Sequence, residues 1–239
     1  MDATRQAAAV NAIEASVGGA SLTRDPAMLA PFRSGRNLPI AIVAPAGEEE
    51  LSRILAAARS AGAALQPASR AAPGRDAAAR DKIIILDLSR MNKILEVNEE
   101  LAYCLVEPGV TFQQLSEHIS ERGLRLGIDC PGDPDESVAD AFIQRRAGYT
   151  PYADHYLMQC GLEVMLADGR SVRTGMGAMP KSTCWQLFKF GYGPWVDGLF
   201  TQSDLWIVTK VGLWLMPSPP AAKPFAVTVP GEDDLAALF

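Results

Sequence analysis

Residues 148–180 read GYTPYADHYLMQCGLEVMLADGRSVRTGMGAMP, and their patterning commits this part of the chain to a β-hairpin. Leu162, Val164 and Leu166 alternate with other residues, Asp168-Gly169 follows, and Ser171-Val172-Arg173-Thr174 leads away. An Asp-Gly pair between two extended runs supplies the positive φ angles of a tight two-residue turn, so a hairpin is predicted there. Around it stand Tyr149, Tyr152, His155, Tyr156 and the Gly175/Gly177 pair, a mixture of groups suited to a ligand site.

Downstream, the pattern predicts a helix over 182–190 and a long strand over 205–216. The run 217–224, PSPPAAKP, breaks regular structure; a strand over 225–229 and the first turns of a helix from Glu232 are expected after it. Upstream, an Ala-rich helix is predicted over 2–17, and an irregular segment over 25–37. A strand is expected over 39–43, then a helix from Glu48 to about Ala61. The acidic first turn of that helix, Glu48-Glu49-Glu50, suits the positive end of the helix dipole, and Leu51, Ile54, Leu55 and Ala58 recur at helical spacing. Extended runs follow at 63–68, 83–87, 94–97 and 102–106. Thr111-x-x-Gln114 is a capping-box signature opening a helix that ends near Gly123, and 127–137 is an acidic, turn-rich loop.

The 239 residues are 48% hydrophobic and 21% charged, a globular composition long enough for one large domain or two small ones. A net charge of −6 without a Lys/Arg block argues against a nucleic-acid surface. The N-terminus lacks the pattern of a signal peptide, and no run approaches the ~20 apolar residues of a membrane span. Cys104, Cys130, Cys160 and Cys184 are scattered and the histidines are His118 and His155, which argues against a zinc site; buried free thiols in a reducing cytoplasm are expected.

Several ordered blocks carry a family likeness: 86–94 (LDLSRMNKI), 102–112 (AYCLVEPGVTF), 148–152 (GYTPY), 158–164 (MQCGLEV) and 173–177 (RTGMG). They continue with 192–194 (YGP), 197–202 (DGLFTQ), 207–210 (IVTK) and 214–217 (WLMP). Together these resemble the flavin domain of the vanillyl-alcohol oxidase and 4-cresol dehydrogenase (hydroxylating) flavoproteins, over roughly residues 38–220. The resemblance implies an α+β FAD-binding domain of two subdomains, preceded by an N-terminal helix and lead-in over 1–37 and followed over 221–239 by the start of a cap domain that is otherwise missing. It implies FAD as cofactor, a phenolic small molecule as substrate, and hydride transfer from the benzylic carbon of a para-alkylphenol to the flavin. It also implies a homodimer or a partner chain, with apolar surface exposed where the cap would sit. The cofactor-binding residues it points to are Arg70, the Glu107-Pro108-Gly109-Val110 turn, Gly148, Tyr149, Thr150, Ile207 and Val208, with Asp133 as a candidate catalytic carboxylate.

The cofactor loops depart from the family pattern. Ser69–Arg75 stands where the family has a Gly-Arg-Asn and Gly-Tyr-Gly diphosphate loop; Arg70 alone keeps its identity, and Pro73 lacks a backbone donor. Asp135, Glu136 and Asp140 bring carboxylates to a second loop of small neutral residues, and Gln144-Arg145-Arg146 replaces an acidic-Arg-Gly triplet. Gly132 takes the place of an active-site aspartate, with Asp133 beside it, and Trp206 replaces a glycine that lies against the flavin. The sequence therefore supports three readings: a flavoprotein serving oxidation, a degenerate flavin fold that acts as a non-catalytic partner or relic, and a cleft reused for another anionic or aromatic ligand. His155 is expected to be structural or at the surface, and Tyr149, Tyr152 and Tyr156 to be half-buried aromatics.

Overall fold

The computed structural model describes residues 3–33, 38–68, 83–191, 193–203, 205–221, 223 and 225–231. The first unit is built on a four-stranded sheet. Helix α1 (Ala3–Val17) leads to β1 (Leu22–Thr23), α2 (Pro26–Leu29) and β2 (Ala41–Val43), followed by α3 (Glu48–Ala61), β3 (Leu65–Ala68) and β4 (Ile84–Asp87). The strand order is β1-β2-β4-β3, with β2 and β3 both parallel to β4 and β1 antiparallel at the edge. Parallel strands must be buried on both faces, and β2 and β4 are buried throughout. On one face Leu51, Ile54 and Leu55 of α3 join Val10 and Ile13 of α1; on the other, Leu29 and Phe32 cover Ile42, Ile83 and Ile85. Residues 3–33 thus contribute a helix and an edge strand to this unit, and the segment expected to be irregular holds the short α2, capped by Asp25.

The second unit is antiparallel. It comprises β5 (Ile94–Asn98), β6 (Tyr103–Val106), α4 (Phe112–Glu121), β7 (Leu126–Gly127), α5 (Val138–Ile143), α6 (His155–Met158), β8 (Gln159–Leu166), β9 (Ser171–Arg173), β10 (Trp206–Trp214) and β11 (Met216–Pro217). Its five-stranded sheet runs β5-β6-β10-β8-β9, and β7 pairs separately with β11. Phe112, Leu115 and Ile119 of α4 and Val138 and Phe142 of α5 fill the core beneath it. The two units meet where Met165 and Ile207 join the α3 side of the first core. There Lys210 of β10 donates to Glu48 of α3 (2.6 Å) and to the buried Glu163 of β8 (2.5 Å). Burial disfavours both charges, yet the contacts outweigh it: Lys210 is raised by its two carboxylates, and Glu163 is lowered by Lys210 and Arg173.

Several expectations need correction. The β8–β9 connection is a three-residue loop: Gly169 N–H donates to Leu166 O and Leu166 N–H to Arg170 O. Gly169 has φ +85° and Asp168 has no positive φ, because a type I turn followed by a left-handed glycine needs one such residue where the two-residue turn needs two. Residues 182–190 form a turn rather than a helix. The Lys181 backbone is left-handed, the buried Trp185 indole is wedged between Gly161 and Gly177, and Lys189 Nζ reaches back to Tyr156 O and Leu157 O. Only half of the capping box forms, since Thr111 Oγ accepts from Gln114 N–H while the Gln114 amide donates to Asn92 O. Residues 225–229 are not a strand, and Phe225 and Val227 are exposed. Cys184 is exposed and Cys130 half-buried; Cys104 and Cys160 lie in the interior, where burial pushes the Cys160 thiol up to about 12. The expected helix from Glu232 lies outside the described residues.

Candidate functional site

A cleft between the two units runs along the edge strand β3, from Ala64 and Ile83 at the amino ends of β3 and β4 to Pro67 and Leu88 towards their carboxyl ends. The ends of adjacent parallel strands leave backbone and turn residues free of sheet pairing, which is where ligands collect in such sheets. The cleft has a volume of about 660 Å³. Leu65, Gln66 and Pro67 of β3 and Leu88 after β4 form one wall; Trp206 and Val208 of β10, with Phe200, form the facing one. It continues past Pro67, Leu88, Pro108 and Asp140 into a recess of about 100 Å³ beside Ser89, Gly109, Thr111 and Ser137.

The recess is built by two turns held edge to edge. Gly109 N–H donates to Met91 O, and a Cβ on Gly109 would come within 2.5 Å of Leu88 O and 2.8 Å of Ser89 O and Met91 O. Glycine is required there because two backbones touch. Ser137 fixes the third side, donating from Oγ to Pro108 O (2.6 Å) and capping α5 through Asp140 N–H. Among the described residues that line cleft and recess, the charged groups are Asp135 and Asp140.

The Trp206 indole folds edge-on against Phe200, 4.8 Å between centroids, and the cleft persists beside it. Its Nε1–H is buried and makes no hydrogen bond among the described residues. Trp206 therefore borders the cleft without filling it.

The residues singled out from sequence are not all brought to this cleft. Pro108, Gly109 and Val208 line it, as do Trp206 and Asp140. Glu107 and Val110 are buried behind the turn, with Glu107 Oε2 accepting from Lys93 N–H, and Ile207 lies in the core between the units. Arg70 and the rest of Ser69–Arg75 lie outside the described residues. Asp133 is exposed in the acidic loop, where its carboxylate accepts from Asp135 N–H. Glu136 turns inward to Arg146 (3.0 Å), so this carboxylate does not line the cleft.

Gly148, Tyr149 and Thr150 wrap a different group. The N–H groups of Tyr149 and Thr150 donate to the carboxylate of Asp129, which is 6% exposed, and a Cβ on Gly148 would fall 1.5 Å from its Oδ1. The side chain of Tyr149 stands out in solvent. His155 Nε2 lies 3.6 Å from Asp129 Oδ1, and the ring stacks on Phe142 at 5.0 Å. His155 is deeply buried rather than superficial. Burial raises the Asp129 carboxyl, but hydrogen bonds from Thr150 and Tyr149 outweigh it and hold the pKa low; burial also depresses His155, against the pull of Asp129, Glu136 and Asp154. Sequence reading missed Asp129, although an aspartate closing the apolar-alternating run 124–128 was the available signal.

Among the described residues no cluster of His, Cys, Asp and Glu could hold a metal ion, and no helix is long and apolar enough to cross a membrane.

The FAD binding domain family model matches residues 39–175, more than half of the chain. The flavoprotein subunit of 4-cresol dehydrogenase [hydroxylating] from Pseudomonas putida is 49% identical over 157 residues, 65% of this chain and 30% of that protein. The 1'-carboxy-chondrochloren decarboxylase of Chondromyces crocatus is 38% identical over 200 residues, 82% of this chain and 37% of that protein. Among solved structures, p-cresol methylhydroxylase with substrate bound superposes with a TM-score of 0.85 at 35% identity, covering 92% of this chain and 45% of that one. The 4-ethylphenol oxidase of Gulosibacter chungangensis gives 0.87 at 34% identity, covering 100% and 48%. The chain thus spans less than half the length of these relatives.

Proposed function

The chain belongs to the FAD-binding domain family, and from that premise we propose that it is the flavin-binding part of an oxidoreductase acting on para-alkylphenols. The observation that carries the proposal is the cleft of about 660 Å³ that runs along β3 and faces Trp206 and Val208 of β10. Its described walls suit FAD in size and in their apolar faces. Leu88, Pro108 and Val208 would lie against the cofactor, and Phe200 would keep the Trp206 indole to one side. Bound FAD would supply the hydride acceptor for the benzylic carbon of the substrate. Lys210 ties β10, the strand that carries Trp206 and Val208, to Glu48 of α3 and Glu163 of β8. A second polypeptide and a phenolic substrate belong to the same proposal, as does a reducing, cytoplasmic setting, which four unpaired cysteines support.

One feature favours the alternative, a flavin fold that has lost its cofactor. Asp140 lies in the wall shared by cleft and recess, and a carboxylate there is unfavourable beside a diphosphate. Purification decides between them. Yellow protein, or colourless protein whose tryptophan fluorescence is quenched saturably by added FAD, supports cofactor binding. Colourless protein that takes up no FAD establishes the alternative.

A further inference from the structure

A second cavity lies away from the flavin cleft, against the β1–β2 side of the first sheet. It measures about 370 Å³, within the range of small-molecule sites. Apolar side chains make up much of its wall, Leu22 from β1, Met28 and Phe32 from the α2 segment and Ile42 from β2, with Ser21, Thr23 and Asp87 among the polar residues that line it. Arg90 stands at one end, at the turn after β4. Its guanidinium is held in place, because Nη1 donates to both Ser21 Oγ and Ala44 O, each at 2.8 Å. Nε and Nη2 make no hydrogen bond with the described residues, so the planar fork keeps donors for a ligand. The neighbouring Asp87 carboxylate accepts from Ser89 N–H and is buried, which leaves Arg90 as the exposed charge at the cavity.

From this geometry we infer that the cavity is a second ligand site, distinct from the flavin cleft, for a small apolar carboxylate whose head pairs with Arg90 and whose body lies among Met28, Phe32 and Ile42. A carboxylate matches the free side of a clamped guanidinium better than any neutral head does, because each charge-assisted bond is about twice as strong as its neutral counterpart. The site shares no lining residue with the cleft. The inference therefore stands whether or not FAD binds.

The test uses the full chain and 2-naphthoate as probe, followed by calorimetry and by ligand-observed magnetic resonance. Saturable one-to-one binding is expected, at least tenfold weaker for the neutral 2-naphthalenemethanol. Arg90→Met should weaken naphthoate at least tenfold, Arg90→Lys should fall between, and Ala27→Trp, at an exposed lining position, should abolish binding by filling the space. Unchanged melting temperature in Ala27→Trp separates a blocked site from a misfolded one. FAD in excess should leave naphthoate binding unaltered. Absence of binding at millimolar naphthoate, equal affinity for the neutral probe, indifference to the Arg90 and Ala27 changes, or displacement by FAD would each overturn the site.

Discussion

Asp129 and His155 form a buried pair, Nε2 to Oδ1 3.6 Å, in which neither partner is otherwise satisfied in the same way. Asp129 is saturated by backbone donors from Tyr149 and Thr150, whereas neither ring nitrogen of His155 makes a hydrogen bond among the described residues. The carboxylate organises the Gly148–Thr150 backbone, and the histidine fills the space behind it.

Removing the carboxylate should loosen that backbone. Asp129→Ala leaves two N–H groups without an acceptor and is expected to lower stability by about 3 kcal/mol. Gly148→Ala should do comparable damage, because its Cβ and Asp129 Oδ1 compete for one volume. In the double variant the two losses should be less than additive, since they act on one contact. Urea denaturation measures all three; a Gly148→Ala protein within 0.5 kcal/mol of the parent, on the order of a neutral surface change, contradicts the wrap.

The pH dependence follows from two depressed groups. The folded pKa of His155 lies below its ordinary 6.5, so as pH falls through about 6.5 the unfolded chain takes up a proton that the folded chain refuses. Stability is then full above that value and declines below it. Asp129 is also depressed, and its contribution disappears only at lower pH, once the unfolded carboxyl near 3.8 begins to protonate. His155→Phe, which can keep the stack on Phe142, should remove the loss between pH 7 and 5.5 and spare the acid limb. A parent whose denaturation midpoint is flat from pH 7 to 5.5 would exclude this role for His155.

Lys210 ties β10 to α3 and β8. Replacing it with methionine leaves Glu163 buried with one cation fewer, and a loss of about 3 kcal/mol is expected. Its folded pKa is raised, so its contribution is complete below the unfolded value of about 10.4 and is lost as pH rises through the folded one. The methionine variant should lack that alkaline decline. Guanidinium titrations at pH 8 and 11 compare the two proteins directly.

Trp206 reports on the cleft. If FAD occupies it, quenching of tryptophan emission should fall by more than half in Trp206→Phe while the FAD concentration at half-saturation changes by less than about fivefold, the phenyl ring keeping an edge contact with Phe200. Undiminished quenching would place the bound flavin elsewhere.

Much of the fold was legible because it rests on local chemistry. The helix Glu48–Ala61 has the bounds read from its acidic start and apolar spacing, and the left-handed Gly62 that ends it is a common helix stop. The failures are tertiary. Residues 182–190 have helical periodicity, but the Trp185 indole is claimed by a slot between two glycines, a contact no periodicity encodes. For the site, Glu107–Val110 was readable as a strand end and turn, whereas the close approach of Gly109 to Leu88 O and Met91 O was not. The role of Gly148 was not, because its reason is Asp129, nineteen positions upstream. Leu65, Leu88 and Phe200 line the cleft as ordinary apolar residues at element ends, and only the chain's path distinguishes them from core.

The position of β10 also governs how the chain is made. Among the described residues it is the last long strand, yet it lies in the middle of the five-stranded sheet, between β6 and β8. Until residues 206–214 leave the ribosome, the β5–β6 and β8–β9 hairpins each present an unpaired edge, and Lys210 cannot yet reach Glu48, 162 positions earlier. Completion of this unit is therefore a late, long-range event, the kind that slows folding and leaves strand edges open to other chains. A nascent chain stalled before Trp206 should bind a holding chaperone more strongly than one stalled after β11, Met216–Pro217.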